Sequence, residues 1–141
     1  MPVKKTTIVA ADDDPQLLRL VTRNLEFEEY EVLPASDGQQ ALEQVEAHSP
    51  DLVLLDVMMP GRDGWQVCRD IKSHPTLGRN VRVVMVTALD DWVNKRQALQ
   101  TGADDFVEKP FELSKLAATV ERNVKQLASN TPAASTSAPT G

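Results

Sequence analysis

The chain has 141 residues, 41% of them hydrophobic, which is enough for one well-packed domain and too few for two ordinary ones. Its formal net charge of -6 disfavours nucleic acid and anionic membranes as direct partners, because both would repel it at neutral pH. The single cysteine, Cys68, excludes an internal disulfide, and no apolar run approaches the ~20 residues that cross a bilayer. The N-terminal apolar run is too short for a signal peptide, so we expect a cytoplasmic protein.

Short apolar runs alternate along the chain with stretches of helical periodicity. The runs cover residues 7–11, 31–34, 52–55, 81–86 and 106–107. Several are apolar at consecutive positions, as expected of strands that helices cover on both faces. Apolar stripes with helical spacing lie between and after them, formed by Leu17, Leu18, Val21 and Leu25, and by Leu116, Val120 and Val124. Five strands alternating with five helices predict an α/β domain with a parallel sheet and right-handed crossovers.

Turn and cap residues separate these stretches. Asp14-Pro15 has the pattern of an N-cap followed by the first helical residue. Pro60-Gly61 and Asp63-Gly64 predict turns, and Thr101-Gly102 predicts the end of a helix. Residues 128–141 carry no charge and are rich in Ser, Thr, Ala and Pro, which predicts a flexible tail or linker after a domain of residues 1–127.

Carboxylates follow two of the predicted strands. The first run leads into Asp12, Asp13 and Asp14, and the third into Asp56. Ligands of open parallel sheets bind outside the carboxyl ends of the strands, where the strand order reverses, so the two clusters should face each other. Two carboxylates ~4 Å apart repel by roughly 4 kcal/mol at an effective dielectric of about 20, so the cluster requires a cation or a proton. We assign Asp14 to capping the helix that follows. The other carboxylates offer only oxygen ligands, which indicates Mg²⁺ or a similar hard ion. Either cluster alone could consist of solvated loop acids.

A hydroxyl and an ammonium group follow two further strands. The fourth run leads into Thr87-Ala88 and the fifth into Lys109-Pro110. A lysine can pair with phosphoryl oxygens, a threonine hydroxyl can donate to one of them, and a carboxylate can accept the phosphoryl group as nucleophile. Either residue alone would be an ordinary strand-end residue, so the prediction of a phosphate-handling site depends on their joint placement.

Four segments in this order and at these intervals, VAADDDP, DLVLLDVMMPGRDG, VVMVTA and GADDFVEKPF, resemble the signature segments of two-component response-regulator receiver domains. The resemblance is to the chemotaxis-regulator-like type and covers about residues 6–127. It implies a flavodoxin-like, doubly wound α/β fold with five helices and a five-stranded parallel sheet in the order 2-1-3-4-5.

The resemblance implies an acidic metal site. Asp56 falls on the phosphoacceptor, which is also a metal ligand, and Asp13 falls on the direct Mg²⁺ ligand. Asp12 falls on the acid that reaches the ion through water. Met58 falls where a backbone carbonyl completes the protein ligands.

The resemblance also implies a phosphoryl site and a switch. Thr87 and Lys109 fall on the hydroxyl and the cation that contact the phosphoryl group, with Ala88 next to Thr87 in the same site. Thr87 and Phe106 fall on the two switch positions. Lys109-Pro110 falls on a peptide bond that is typically cis in this family.

The family implies a sensor histidine kinase or a phosphotransfer protein as partner, or a small donor such as acetyl phosphate. The domain would catalyse only its own phosphorylation and slow dephosphorylation, with no turnover on an outside substrate. Its output surface would be the face built from the helix after Leu89, the fifth strand and the last helix. Candidate residues on this switch face are Trp92, Asn94, Lys95, Gln97, Ala98, Leu116, Ala117 and Arg122. If residues 128–141 are a linker, an effector domain follows them; if they are a tail, the protein is a single-domain regulator.

Three other functions are weighed against this one. A haloacid-dehalogenase-like phosphatase needs a second acid two residues after its nucleophile, where this chain has Met58. A flavodoxin-like electron carrier needs hydroxyls and backbone donors for the flavin phosphate, but the loop after the first run is acidic here. An inert pseudo-receiver remains open, although it gives no reason for Asp12, Asp13, Asp56, Thr87 and Lys109 to occur together.

Overall fold

The computed structural model describes residues 5–88 and 100–129. The strands in this part of the chain are β1 (Thr7–Ala11), β2 (Glu31–Ala35), β3 (Leu52–Asp56), β4 (Arg82–Ala88) and β5 (Asp105–Lys109). The helices are α1 (Pro15–Phe27), α2 (Gly38–His48), α3 (Gly64–Ser73), the single turn α4 (Leu77–Asn80) and α5 (Leu113–Ser129). All five predicted strands are confirmed, whereas the helix predicted after Leu89 falls on residues 89–99, outside the described residues.

The five strands form one parallel sheet in the order β2-β1-β3-β4-β5, so the predicted doubly wound fold is confirmed. The order reverses between β1 and β3, which are neighbours in the sheet although α1, β2 and α2 separate them in the chain. This reversal opens a crevice at the carboxyl ends of β1 and β3.

Helices cover both faces of the sheet. Because successive strand residues point to opposite faces, neighbouring residues of β3 belong to different core layers. Leu52 and Leu54 pack in the layer that contains residues of α1 and α5, such as Leu25 and Leu116. Val53 and Leu55 pack in the layer that contains residues of α2 and α3, such as Val45 and Ile71. This two-sided burial explains why β1 and β3 are buried at every position.

Side-chain caps define where the helices begin. The Asp14 side chain accepts hydrogen bonds from the backbone N–H groups of Gln16 and Leu17, and Pro15 follows it, which confirms the predicted cap of α1. The turn predicted at Asp63-Gly64 is wrong, because Asp63 caps α3 in a reciprocal pair with Gln66. The backbone N–H groups at the start of a helix have no partner within the helix, and the Asp63 side chain accepts a hydrogen bond from one of them.

Backbone geometry agrees with the other predicted breaks. Gly61 has a φ of 76° and Gly102 a φ of 90°, as the predicted turn and helix end require. The Lys109-Pro110 bond is cis, as the resemblance implies. Helix α5 continues to Ser129, past the domain boundary predicted at residue 127. Within residues 5–88 and 100–129, no helix has the length and apolar character needed to cross a bilayer.

Candidate functional site

The carboxyl ends of β1 and β3 bring three carboxylates together, as predicted. One oxygen from each of Asp12, Asp13 and Asp56 lies within 4.8 Å of the others. Asp12 and Asp56 are buried, with 7% and 4% of their surface exposed, whereas Asp13 is exposed. Ala11 pairs with Leu55 in the sheet, so the residues that follow them meet across the crevice.

Lys109 is the cation of this cluster. Its Nζ lies 3.1 Å from Asp56 Oδ2 and 3.4 Å from Asp12 Oδ2. β5 is the edge strand, separated from β3 by β4, so the lysine side chain reaches past the end of β4 to contact both acids. Burial by itself lowers the pKa of the Lys109 ammonium, but the hydrogen bond and the charge of Asp56 outweigh burial and raise that pKa above its ordinary value.

The surroundings of Asp56 disfavour its ionised form. Burial, together with the negative charge of Asp12, raises the pKa of Asp56 from 3.8 to about 6. The Lys109 ammonium and the Met58 N–H, which donates to Asp56 Oδ1 over 3.2 Å, oppose this rise without cancelling it. The site therefore has an excess of negative charge that a further cation would relieve.

A buried hydroxyl lies near the carboxyl end of β4, the strand that pairs with β3. Thr87 is 1% exposed, and among the described residues its Oγ1 has no hydrogen-bond partner. In the sheet Asp56 pairs with Val86, so Thr87 extends one residue beyond Asp56 toward the crevice. Ala88, the last residue of β4, pairs in register with Lys109. A buried hydroxyl without a partner is unfavourable in a folded protein, and this one belongs to the residue that the resemblance places in contact with the phosphoryl group.

The donor set fits Mg²⁺. It consists of three carboxylates with no thiol or imidazole among them, which is the preference of a hard, oxygen-liganded cation. The hydrogen bond from the Met58 N–H to Asp56 holds the Met58 backbone next to the cluster, while the residue as a whole is 76% exposed. The three acids predicted for the metal site are thus brought together, with the Met58 N–H in contact with one of them.

Gly64 is a residue of the site that the sequence analysis did not identify. A Cβ built on Gly64 would lie 2.3 Å from the carbonyl oxygen of Asp56, closer than real Cβ atoms approach, so α3 begins directly against the Asp56 peptide. The Gly64 N–H also donates to the Val57 carbonyl over 3.1 Å. The signal that could have shown this contact is Gln66 three residues after Asp63, a spacing typical of a helix start rather than a turn.

The switch face is only partly described. Phe106 is half-buried and pairs in the sheet with Met85. Its side chain packs against the core layer that contains Met85. Leu116 was wrong as a candidate for an exposed contact, because it is fully buried and its place in the apolar stripe of α5 points it into the core. Arg122 is exposed, and its guanidinium lies 2.6 Å from Asp105 Oδ2. The candidates on the helix predicted after Leu89 lie outside the described residues: Trp92, Asn94, Lys95, Gln97 and Ala98.

The model of the response regulator receiver domain family matches residues 8–121. A CheY-like receiver domain protein from Methanospirillum hungatei is 25% identical with a TM-score of 0.83, over 91% of this chain and 100% of that chain. The signal receiver domain of a histidine kinase from Syntrophus aciditrophicus is 31% identical with a TM-score of 0.79, over 90% and 93% of the two chains. NtrX from Brucella abortus, solved with ATP, is 30% identical with a TM-score of 0.78, over 89% of this chain and 28% of that chain.

Proposed function

Because this chain belongs to the response regulator receiver domains of two-component systems, we propose that it accepts a phosphoryl group on Asp56 in a Mg²⁺-dependent reaction. The observation that carries this proposal is that the acidic cluster, the Lys109 ammonium and the Thr87 hydroxyl, which has no partner among the described residues, lie at one edge of the sheet. Each of these groups has a separate use in binding a phosphoryl group.

The reaction begins with Asp56 as nucleophile. An ionised Asp56 oxygen attacks the phosphorus of a phosphohistidine or of acetyl phosphate, and the bond from phosphorus to the leaving nitrogen or oxygen breaks to leave an acyl phosphate on Asp56. The carboxyl of Asp56, with its pKa of about 6, is mostly ionised at neutral pH and can act in this way. Asp12, Asp13, Asp56 and the Met58 carbonyl would hold Mg²⁺, which would supply charge neutralisation for the phosphoryl group.

Lys109 and Thr87 then hold the product. Lys109 already contacts Asp56, so its ammonium pairs with a phosphoryl oxygen after a small movement. The Thr87 hydroxyl donates to another oxygen, which satisfies a group that has no partner among the described residues, and the Ala88 backbone completes the phosphoryl site. Proximity and charge, rather than a separate catalytic base, account for the reaction.

Signalling follows from the movement of Thr87. As this residue moves toward the phosphoryl group, Phe106 turns inward, and the surface around β5, α5 and the helix predicted after Leu89 changes. The partner is a sensor histidine kinase or a phosphotransfer protein in the cytoplasm. The residues after α5 are either a linker to an effector domain or a tail, and the similar domains include one that forms 28% of a longer NtrX chain.

Mass spectrometry after incubation with acetyl phosphate tests the proposal. Wild-type protein with Mg²⁺ should gain one phosphoryl group, and EDTA or Asp56→Asn should prevent this. Asp51→Asn is the matched control, because Asp51 precedes the same strand at its opposite end, where it accepts a hydrogen bond from the Thr7 N–H. An adduct on Asp56→Asn at the wild-type rate would contradict the assignment, and no adduct on wild type would favour an inert scaffold.

A further inference from the structure

One short segment contacts both loops that carry the candidate metal ligands. The first loop follows β1 and contains Asp12 and Asp13, and the second follows β3 and contains Met58. The Asp12 N–H donates to the carbonyl oxygen of Ala35, at the end of β2, over 3.1 Å. Farther along the same segment, Gly38 lies against the backbone of the second loop.

The contact made by Gly38 leaves no room for a side chain. A Cβ built on this buried residue would lie 1.9 Å from the carbonyl oxygen of Arg62 and 2.8 Å from its carbonyl carbon. Real Cβ atoms essentially never approach within 3.0 Å of another heavy atom, and the obstacle here is backbone rather than a flexible side-chain end. Any residue other than glycine would therefore have to displace either the start of α2 or the loop at Arg62.

Hydrogen bonds and the sheet fix the segment from Ala35 to Gly38. The Asp37 side chain accepts from the Gln40 N–H over 2.8 Å, and the Gln40 side chain accepts from the Ser36 N–H over 3.0 Å. Ala35 is part of the sheet and is 1% exposed. At the other end of the loop, Gly64 makes the close approach to the Asp56 carbonyl described above. The loop from Val57 to Asp63 is thus packed between the starts of α2 and α3.

We propose that Gly38 is a positioning residue for the metal and phosphoryl site. The segment from Ala35 to Gly38 sets the separation between the loop of Asp12 and Asp13 and the loop of Met58. A side chain at position 38 displaces the Arg62 backbone and, through the short loop, the Met58 backbone relative to the acids. This inference rests on the proposed Mg²⁺-dependent phosphorylation.

The test compares Gly38→Ala with Gly78→Ala. Gly78 is the matched control, because its Cβ would also meet a backbone oxygen, that of Lys72 at 2.4 Å, but it lies in α4, before the amino end of β4. Both variants should lose stability. Only Gly38→Ala should weaken Mg²⁺ binding per folded molecule in calorimetry, by about tenfold, the lower end of the loss when a supporting partner of a metal ligand is removed. The rate of adduct formation with acetyl phosphate should fall with it.

A further variant separates the backbone of Arg62 from its side chain. Arg62→Ala keeps the carbonyl oxygen that Gly38 contacts and removes the ion pair with Asp70, so it should leave Mg²⁺ affinity unchanged. Wild-type affinity in Gly38→Ala, or an equal loss in Gly78→Ala, would overturn the inference.

A measurement on wild type applies even if Gly38→Ala does not fold. In a Mg²⁺ titration followed by amide chemical shifts, the Gly38 resonance should move together with those of Met58 and Arg62, while Gly78 stays in place. A stationary Gly38 beside a moving Met58 would overturn the inference while leaving the proposed function intact. Wild-type protein that neither binds Mg²⁺ nor accepts a phosphoryl group would reject the proposed function and this inference with it.

Discussion

Replacing Asp56 by asparagine should stabilise the metal-free protein at neutral and higher pH. Asp56 is 4% exposed and shares its pocket with Asp12, and together these raise its pKa from 3.8 to about 6. A carboxyl group whose pKa is higher in the folded than in the unfolded state stabilises the fold fully only below its unfolded pKa. That contribution is lost as the pH rises through the folded pKa.

The magnitude follows from the difference between the two pKa values. A difference of about two pH units corresponds to about 3 kcal/mol, at ~1.4 kcal/mol for each unit. Wild-type protein should therefore lose up to about 3 kcal/mol of unfolding free energy between about pH 4 and about pH 7 on account of this group. An asparagine side chain cannot ionise, so the advantage of Asp56→Asn should be absent near pH 4 and grow across this interval. Because the buried side chain has little contact with water, solvent screening reduces this figure little.

Urea denaturation followed by circular dichroism, in EDTA and at several pH values, measures the effect. Asp105→Asn is an informative control because its pKa shifts the other way: burial raises it, but hydrogen bonds from Arg122 and Asn123 outweigh burial and lower it. This variant should lose stability near neutral pH, and the loss should shrink as the pH falls. Saturating Mg²⁺ should stabilise wild type and reverse the advantage of Asp56→Asn, because the ion binds the folded acidic cluster. Equal stability differences at about pH 4 and about pH 8 would refute the electrostatic reasoning.

Mg²⁺ affinity should increase between about pH 5 and about pH 7, because the ion competes with the proton on Asp56, and a calorimetric titration that is flat across this range would contradict a shared site. Asp13→Ala should weaken Mg²⁺ binding at least about tenfold, or ~1.4 kcal/mol, through the loss of a directly coordinating carboxylate; unchanged affinity would count against the acidic pocket. Beryllofluoride, a phosphoryl mimic, should shift the amide resonances of Phe106 and Lys115 as well as those beside Asp56. Thr87→Ala should shrink the distant shifts without preventing phosphorylation, and shifts confined to the pocket of wild type would argue against the coupling.

Local patterns in the sequence were sufficient for the five strands and for the start of α1. The consecutive apolar residues of β1 and β3 predicted strands covered on both faces, and the sheet confirms this. Asp14-Pro15 predicted the start of α1 because capping depends on residues within one turn of each other. The same local logic failed at Asp63, where a turn and a helix cap use the same residue types and only Gln66 distinguishes them.

Where the acids would meet was also predictable, because the carboxyl ends of neighbouring parallel strands lie at one edge of a sheet. Contacts between distant segments were not. Three such contacts depend on how remote segments pack against one another: the reach of Lys109 to both Asp12 and Asp56, the burial of the Thr87 hydroxyl without a described partner, and the approach of Gly38 to Arg62. Apolar spacing placed Leu116 in a helical stripe, but only packing showed that its side chain belongs to the core rather than to the switch face. Residue type and spacing determine which groups a chain offers at each strand end, whereas close packing between remote segments decides which atoms touch, because that packing depends on all the neighbouring elements at once.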